Sequence, residues 1–229
     1  MINEQKMQEM MNNIAHQWRQ PLSQINSTVG AIDKILYEKN FYDRQLEEKL
    51  QEIEKITKNM SNIIDDFKNY FDTNGSKQIF SLKSLLQETS SSLEETLREK
   101  SITLEQAINC EIPYKSYEGE LKQVVLVLLN NAIDALEERN VYNAKIKVEL
   151  VPFEDKYLIK ISDNAGGIAK SVKEKMFESH YTTKHKSQGS GIGLHMVRKI
   201  IEEKFEATVS VNNVEEGSCF SIALPIWEE

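Results

Sequence analysis

The chain has 229 residues, roughly one and a half domains of about 150 residues each, so two modest domains are as reasonable as one large one. Lysine and arginine number 28 against 36 acidic residues, a net charge of −8 that leaves no basic excess to neutralise a nucleic-acid backbone. No apolar run approaches the ~20 residues of a membrane span, and the polar, Met-rich first twenty residues lack a basic-then-apolar signal pattern.

The first 75 residues hold only two glycines, Gly30 and Gly75, and one proline, Pro21, which is helix-rich composition. Apolar residues recur at Met7, Met11, Ile14, Trp18, Leu22, Ile25, Val29, Ile32 and Leu36. These are heptad steps of three and four, with one extra residue near Pro21, where a kink is expected. A second stripe runs through Leu46, Leu50, Ile53, Ile56, Met60, Ile63, Phe67 and Tyr70, and residues 38–43 between the stripes read as a turn. The pattern predicts a helical hairpin with arms of about 30 residues, each ~45 Å long. Two helices alone bury such stripes poorly. A homodimeric four-helix bundle answers this, and cover from the rest of the chain is the alternative.

Within the first arm, His16 lies two residues from both Ile14 and Trp18. That is roughly 200° around the helix from Ile14, so the imidazole is expected to point outward as an available nucleophile. Residues 72–76 read as a linker, setting an expected boundary between domains 1–74 and 75–229. Beyond it, helices are expected at 81–100, 119–139, 170–177 and 193–203. Strands are expected at 102–107, 145–151, 157–161, 208–211 and 219–224. Intermixed strands and helices with an antiparallel pair at the end predict an α+β (α/β) sandwich. Cys110 and Cys219 cannot form a disulfide framework and read as buried thiols in a reducing compartment.

Three segments of the second part point to a nucleotide. Asp163-Asn164-Ala165-Gly166-Gly167 follows a strand, where a carboxylate can accept from an exocyclic amine and small residues let a flat ring approach. Gly189-Ser190-Gly191-Ile192-Gly193-Leu194 opens a helix, offering N–H groups and a favourable field for phosphate. Asn131, in an apolar helix, carries a hard oxygen suited to Mg²⁺ beside a triphosphate. Each segment alone is equally read as a turn, a packing glycine run or a polar-face residue. Lys170, Lys173, Lys175, Lys184 and Lys186 form the most basic stretch, of which Lys170 and Lys173 read as solvated. His180, His185 and His195 share no metal-ligand spacing and read as surface or lid residues.

Taken in order, and with Ala15-His16-Gln17-Trp18-Arg19-Gln20-Pro21 upstream, these motifs resemble the sensor histidine kinases of two-component signalling. The resemblance covers nearly the whole chain. It implies a dimerisation and phosphotransfer hairpin followed by a Bergerat-type (GHKL) ATP-binding domain, the fold shared with gyrase-type and Hsp90-type ATPases. By this resemblance His16 is the phosphoacceptor, Asn131 holds Mg²⁺, and Asp163 reads adenine with Gly167 in the same turn. Gly189, Gly191 and Gly193, with Leu194, match the phosphate-cradling segment, and Phe177 fits the family's phenylalanine box. Tyr181-Thr182-Thr183-Lys184 resembles the ATP-lid stretch, with Lys184 placed to reach the γ-phosphate. The implied partners are ATP, a second copy of the chain and an aspartate on a response-regulator receiver domain.

Two positions depart from the pattern. Val127 stands four residues before Asn131, where relatives carry Asn and the gyrase-like ATPases a water-activating Glu, and neighbouring Asn130 points elsewhere. Gln17 replaces an acidic residue; an amide can accept the ring N–H but cannot take its proton. Gln20, one turn beyond His16, matches the position that orients water for regulator dephosphorylation in several relatives. An ATPase or protein-serine kinase of the same fold, and a non-catalytic dimeric scaffold, stay open as alternatives. The residues given are expected to be cytoplasmic, with membrane anchoring open should a sensor precede them.

Overall fold

A computed structural model describes residues 4–41, 43–71, 76–178, 181 and 193–226; among the helical residues, side chains 4–16, 59 and 62–71 lie outside the description. The described residues fall into two compact units. The first is helix α1 (Glu4–Glu38) packed against α2 (Arg44–Phe71). The α1 helix runs continuously through Pro21. Asn40, at φ 52°, takes the left-handed conformation that asparagine tolerates and sits in the turn. Asp43 caps the second arm, accepting from the Leu46 N–H at 3.0 Å.

Among the described residues the heptad stripes are only partly covered. Leu22, Val29 and Leu50 are buried, whereas Ile25, Ile32, Ile53, Ile56 and Met60 remain 37–43% exposed. Buried Thr57 donates to the Asn26 side chain across the hairpin and also bonds the Ile53 carbonyl in its own helix. Among the described stripe residues, Leu22, Val29 and Leu50 therefore seal the hairpin, and Ile25, Ile32, Ile53, Ile56 and Met60 are left at its surface.

In the second unit the order is β1 (Gln78–Ser81), α3 (Leu82–Ser91), α4 (Glu94–Glu99), β2 (Thr103–Ala107), β3 (Pro113–Ser116) and α5 (Glu118–Glu138). Then come β4 (Lys145–Phe153), β5 (Lys156–Asp163), α6 (Lys170–Lys173), α7 (Gly193–Phe205), β6 (Thr208–Asn213) and β7 (Ser218–Pro225). A five-stranded sheet runs β2-β4-β5-β7-β6, antiparallel except for the parallel β2–β4 pair. Helices α5 and α7 pack on it and on each other. The core between layers is built from Leu121, Val124, Val125, Leu128 and Leu129 of α5, Met196, Val197 and Ile201 of α7, and Ile146, Val148, Ile159, Ile161 and Ile222 of the sheet, all essentially inaccessible. The mixed α/β sandwich expected from the pattern is present.

Three expectations differ from this structure. The helix expected at 81–100 is two helices, parted at Ser92 and Leu93. Here serine and threonine hydroxyls compete for backbone: Thr89 donates to the Leu85 carbonyl and Ser92 to the Thr89 carbonyl. The helix expected at 170–177 is one turn, 170–173, followed by turns. Strands β1 and β3 were not expected; they pair antiparallel as a separate two-stranded sheet. Ser81 ends β1 and caps α3, its hydroxyl accepting from the Ser84 N–H at 3.1 Å.

Candidate functional site

Strand β5 is a buried central strand, and Asp163 is its last residue, 8% exposed. One oxygen, Oδ1, accepts from the Ala165 N–H at 2.8 Å and the Ser218 N–H at 3.4 Å. The other, Oδ2, accepts from the Ser218 hydroxyl at 2.6 Å. A carboxylate offers about four acceptor directions. Three are taken among the described residues, which fixes the plane of the group, and no described residue takes the fourth. A donor such as an adenine amine would suit that fourth direction, and a buried acceptor of fixed orientation discriminates against ligands lacking the donor.

The turn after Asp163 takes its shape from two left-handed glycines, Gly166 at φ 84° and Gly167 at φ 73°. Asn164 does not face a ligand. Its Oδ1 accepts from the Lys145 N–H at 2.8 Å and its Nδ2 donates to the Asn143 carbonyl at 3.0 Å, so it tethers the turn to the start of β4.

Asn131 sits half-buried on α5, one turn beyond Val127 and on the same face. A Cβ placed on Gly193 would lie 3.3 Å from Val127 Cγ1, which sets that face of α5 against the first residue of α7. Asn131 and Gly193 are thus brought to one side of the helix layer. Asn130 is exposed on another face, as its position in the helix predicts. Among the described residues no cluster of three His, Cys, Asp or Glu is placed to hold a metal. One asparagine oxygen, with phosphate oxygens and water completing the shell, fits Mg²⁺, which rarely takes an all-protein cage.

Phe177 is half-buried, and its carbonyl bonds Nδ1 of His195, the third residue of α7, at 3.1 Å. His195 is therefore a tie between these two segments, where a surface or lid residue was expected. Leu194 is half-buried in the first turn of α7. Thr182, Thr183, Lys184, Lys186, Gly189, Gly191, His180 and His185 lie outside the described residues.

In the helical unit His16 belongs to α1, but its side chain lies outside the description, and with it the expected outward orientation. Gln17 and Gln20 are exposed and line one open depression with Arg19 and Ser23.

Sequence reasoning missed Ser218, Gly217, Arg139 and Asn213. Gly217 is the most constrained: a Cβ there would lie 1.9 Å from the Asp163 carbonyl oxygen. Only glycine lets the β6–β7 turn pass this close. The signal available was a glycine followed by a hydroxyl residue at the start of the last strand, which reads equally as an ordinary hairpin turn.

Residues 117–228 match the family described as histidine kinase-, DNA gyrase B-, and HSP90-like ATPase. Sporulation kinase B of Bacillus subtilis (strain 168) is 27% identical over 231 residues, covering 98% of this chain and 52% of that protein. The signal transduction histidine-protein kinase AtoS of Escherichia coli (strain K12) is 27% identical over 221 residues, covering 95% of this chain and 34% of AtoS. The chain thus spans about half or less of the length of these curated relatives. Among solved structures, the catalytic domain of histidine kinase ThkA is 30% identical with a TM-score of 0.59, covering 66% of this chain and 95% of that one. No described helix is long and apolar enough to cross a membrane. The family match spans the helix, strand end and hairpin that build the site around Asp163, and the chain belongs to the sensor histidine kinases, of which it carries the GHKL-type ATP-binding core.

Proposed function

We propose that this chain autophosphorylates on His16 from ATP and passes the phosphoryl group to an aspartate of a response regulator. The observation that carries the reading is Asp163: a buried carboxylate at a strand end, held on three sides, with a fourth acceptor direction that no described residue takes and that suits a donor such as the adenine amine. Residues 1–74 would serve as the dimerisation and phosphotransfer domain and 75–229 as the catalytic domain.

In this reading Asp163 and the Gly166-Gly167 turn bind the base, and Asn131 supplies the oxygen ligand for Mg²⁺. When bound, Mg²⁺ offsets charge on the phosphate oxygens. Gly189, Gly191 and Gly193 would offer backbone N–H groups to the phosphates, and Lys184 a cation for the γ-phosphate. A ring nitrogen of neutral His16 attacks the γ-phosphorus in line; a P–N bond forms, the bond to the β,γ-bridging oxygen breaks, and ADP leaves. Gln17 orients the ring by accepting its N–H, and solvent takes the proton, because an amide cannot. Gln20, exposed one turn on, suits the orientation of water for the reverse task, dephosphorylation of the regulator. Histidine kinase ThkA has been solved in complex with the response regulator protein TrrA, a likeness of 24% identity and TM-score 0.64, and a receiver-domain partner is proposed here on family membership.

A homodimer completes the hairpin. Ile25, Ile32, Ile53, Ile56 and Met60 stand at core positions of their heptads yet remain more than a third exposed, which a second hairpin would cover.

Incubation with γ-labelled ATP and Mg²⁺ tests the reading. The label should be acid-labile, alkali-stable and absent from His16→Gln. Acid-stable label would indicate a serine kinase, released phosphate without label an ATPase, and no ATP binding a scaffold; each overturns the proposal. Gln20→Ala should slow regulator dephosphorylation while leaving His16 labelling intact.

A further inference from the structure

The turn that follows Asp163 is held by two side chains from distant parts of the chain. Arg139 is the C-cap of α5, where a cation also complements the helix dipole. Its guanidinium donates to the Ala165 carbonyl and, through the second terminal nitrogen, to the Gly167 carbonyl at 3.0 Å. Asn213 ends β6. Its Oδ1 accepts from the Ile168 N–H at 2.9 Å and its Nδ2 donates to the Ile168 carbonyl at 3.1 Å. Two further bonds come from the β6–β7 turn and β7: the Gly166 N–H to the Glu216 carbonyl at 2.8 Å, and the Ser218 hydroxyl to Asp163.

The two glycines make room for these clamps. A Cβ on Gly166 would lie 3.1 Å from an Arg139 terminal nitrogen, and one on Gly167 would lie 3.1 Å from the Asn213 amide. The Gly-Gly pair thus admits Arg139 on one residue and Asn213 on the next, besides leaving the turn open to a flat ring. A turn built on two left-handed glycines is entropically loose when free. Its order has to come from outside, or be supplied at each binding event at the cost of affinity.

We infer that Arg139 and Asn213 are positioning residues for the nucleotide base, pre-ordering the 163–168 turn so that Asp163 and the glycines meet the ligand without rearrangement. The inference rests on the nucleotide reading of the site. Arg139 suits its place because the two terminal nitrogens of its rigid guanidinium fork each meet a carbonyl; lysine would have to serve both from a single nitrogen on a flexible stem. Asn213 suits its place because its amide presents an acceptor and a donor on two adjacent atoms, matching the N–H and the carbonyl of one residue.

Because the clamps act on the base end of the ligand, their loss should weaken ATP and ADP equally. Calorimetric titration of the full chain with Mg-ATP and with Mg-ADP tests this. Arg139→Ala and Asn213→Ala should each raise both dissociation constants by the same factor, roughly tenfold. The labelling rate of His16 at saturating ATP should stay within about twofold of the unaltered chain, since neither residue touches the phosphates. Arg139→Lys should fall between. Asn213→Asp, which keeps the acceptor but sets a carboxylate oxygen against the Ile168 carbonyl, should weaken both nucleotides at least as much as Asn213→Ala. These two variants decide the matter should the alanine variants fail to fold.

Unchanged affinity in folded variants overturns the inference, and so does a loss confined to ATP or a loss of rate without a loss of affinity. Failure of the unaltered chain to bind either nucleotide overturns the nucleotide reading itself and the inference with it.

Discussion

Replacing Gly217 by alanine should damage the ATP-binding unit more than its single added methyl suggests. The new Cβ would lie 1.9 Å from the Asp163 carbonyl oxygen, 2.6 Å from its carbon and 2.9 Å from the Asn164 Cα. All three are backbone atoms, so no rotamer change relieves the clash. Real contacts stay beyond 3.0 Å, so the β6–β7 turn or the end of β5 must withdraw by about 1 Å. The bonds flanking position 217 stand in the way: Gly166 N–H to Glu216 carbonyl at 2.8 Å, and Ser218 hydroxyl to Asp163 at 2.6 Å. Overpacking costs about 1–3 kcal/mol, and stretching a bond to a buried charge adds about 1 kcal/mol or more. The expected total is about 3 kcal/mol, a drop in Tm of about 6–12 °C for a unit of this size. Gly30→Ala is the control. It adds the same methyl inside α1, where no atom lies within 4 Å, and should stabilise the hairpin by up to about 1 kcal/mol. Scanning calorimetry reads both. A Gly217→Ala protein melting within a degree or two of the unaltered chain would refute the steric reasoning, as would an equal loss in Gly30→Ala.

Lys204→Met should destabilise the same unit by about 2–3 kcal/mol in urea titration. Lys204 bonds Glu120 at 2.6 Å with side chains 20% and 9% exposed, so its loss strands a nearly buried carboxylate, though less deeply than in a fully enclosed pair. Adding Glu120→Gln should recover most of that loss. Tyr114 lies buried in β3, and burial, helped by the neighbouring Tyr157, pushes its hydroxyl up to about 12. The folded state then holds this proton while the unfolded state releases it near pH 10. The stability it contributes is intact below pH 10 and falls as pH rises from about 10 to about 12. A Tyr114→Phe protein should lose less stability across that window, read by urea midpoints at each pH.

The long elements were legible because their residues repeat one choice many times. The α5 helix buries nine positions at helical spacing, and β4 alternates buried with part-exposed residues from 145 to 151. Strands β1 and β3 were not legible, because four residues carry no period and each has its backbone partners only in the other. The break at Ser92 was obscured by a helical pattern that continues through it; the competing hydroxyls are a three-dimensional fact. In the site, Asp163 and the glycines announced themselves as a compact string. The residues that hold them did not. Arg139 lies 26 residues before Ala165, Asn213 lies 45 after Ile168, and Ser218 lies 55 after Asp163. Each reads locally as a helix end, a strand end or a turn. Hydrogen bonds at that separation leave no mark in spacing.

Position 127 bears most directly on what the pocket does with a phosphate. Side chains at 127 and 131 share a face of α5, and Val127 is packed against the start of α7, whose preceding glycines are the proposed phosphate contacts. On the proposed function, a residue there would border the phosphate end of the nucleotide. Valine can neither take a proton from water nor orient it by hydrogen bonding. On the proposed function, a site lined by valine at this point calls for an acceptor brought from elsewhere, and His16 is the proposed one. On that proposal the valine at 127 and the imidazole at 16 serve one end: the first would withhold the phosphoryl group from solvent, and the second would offer it a nitrogen.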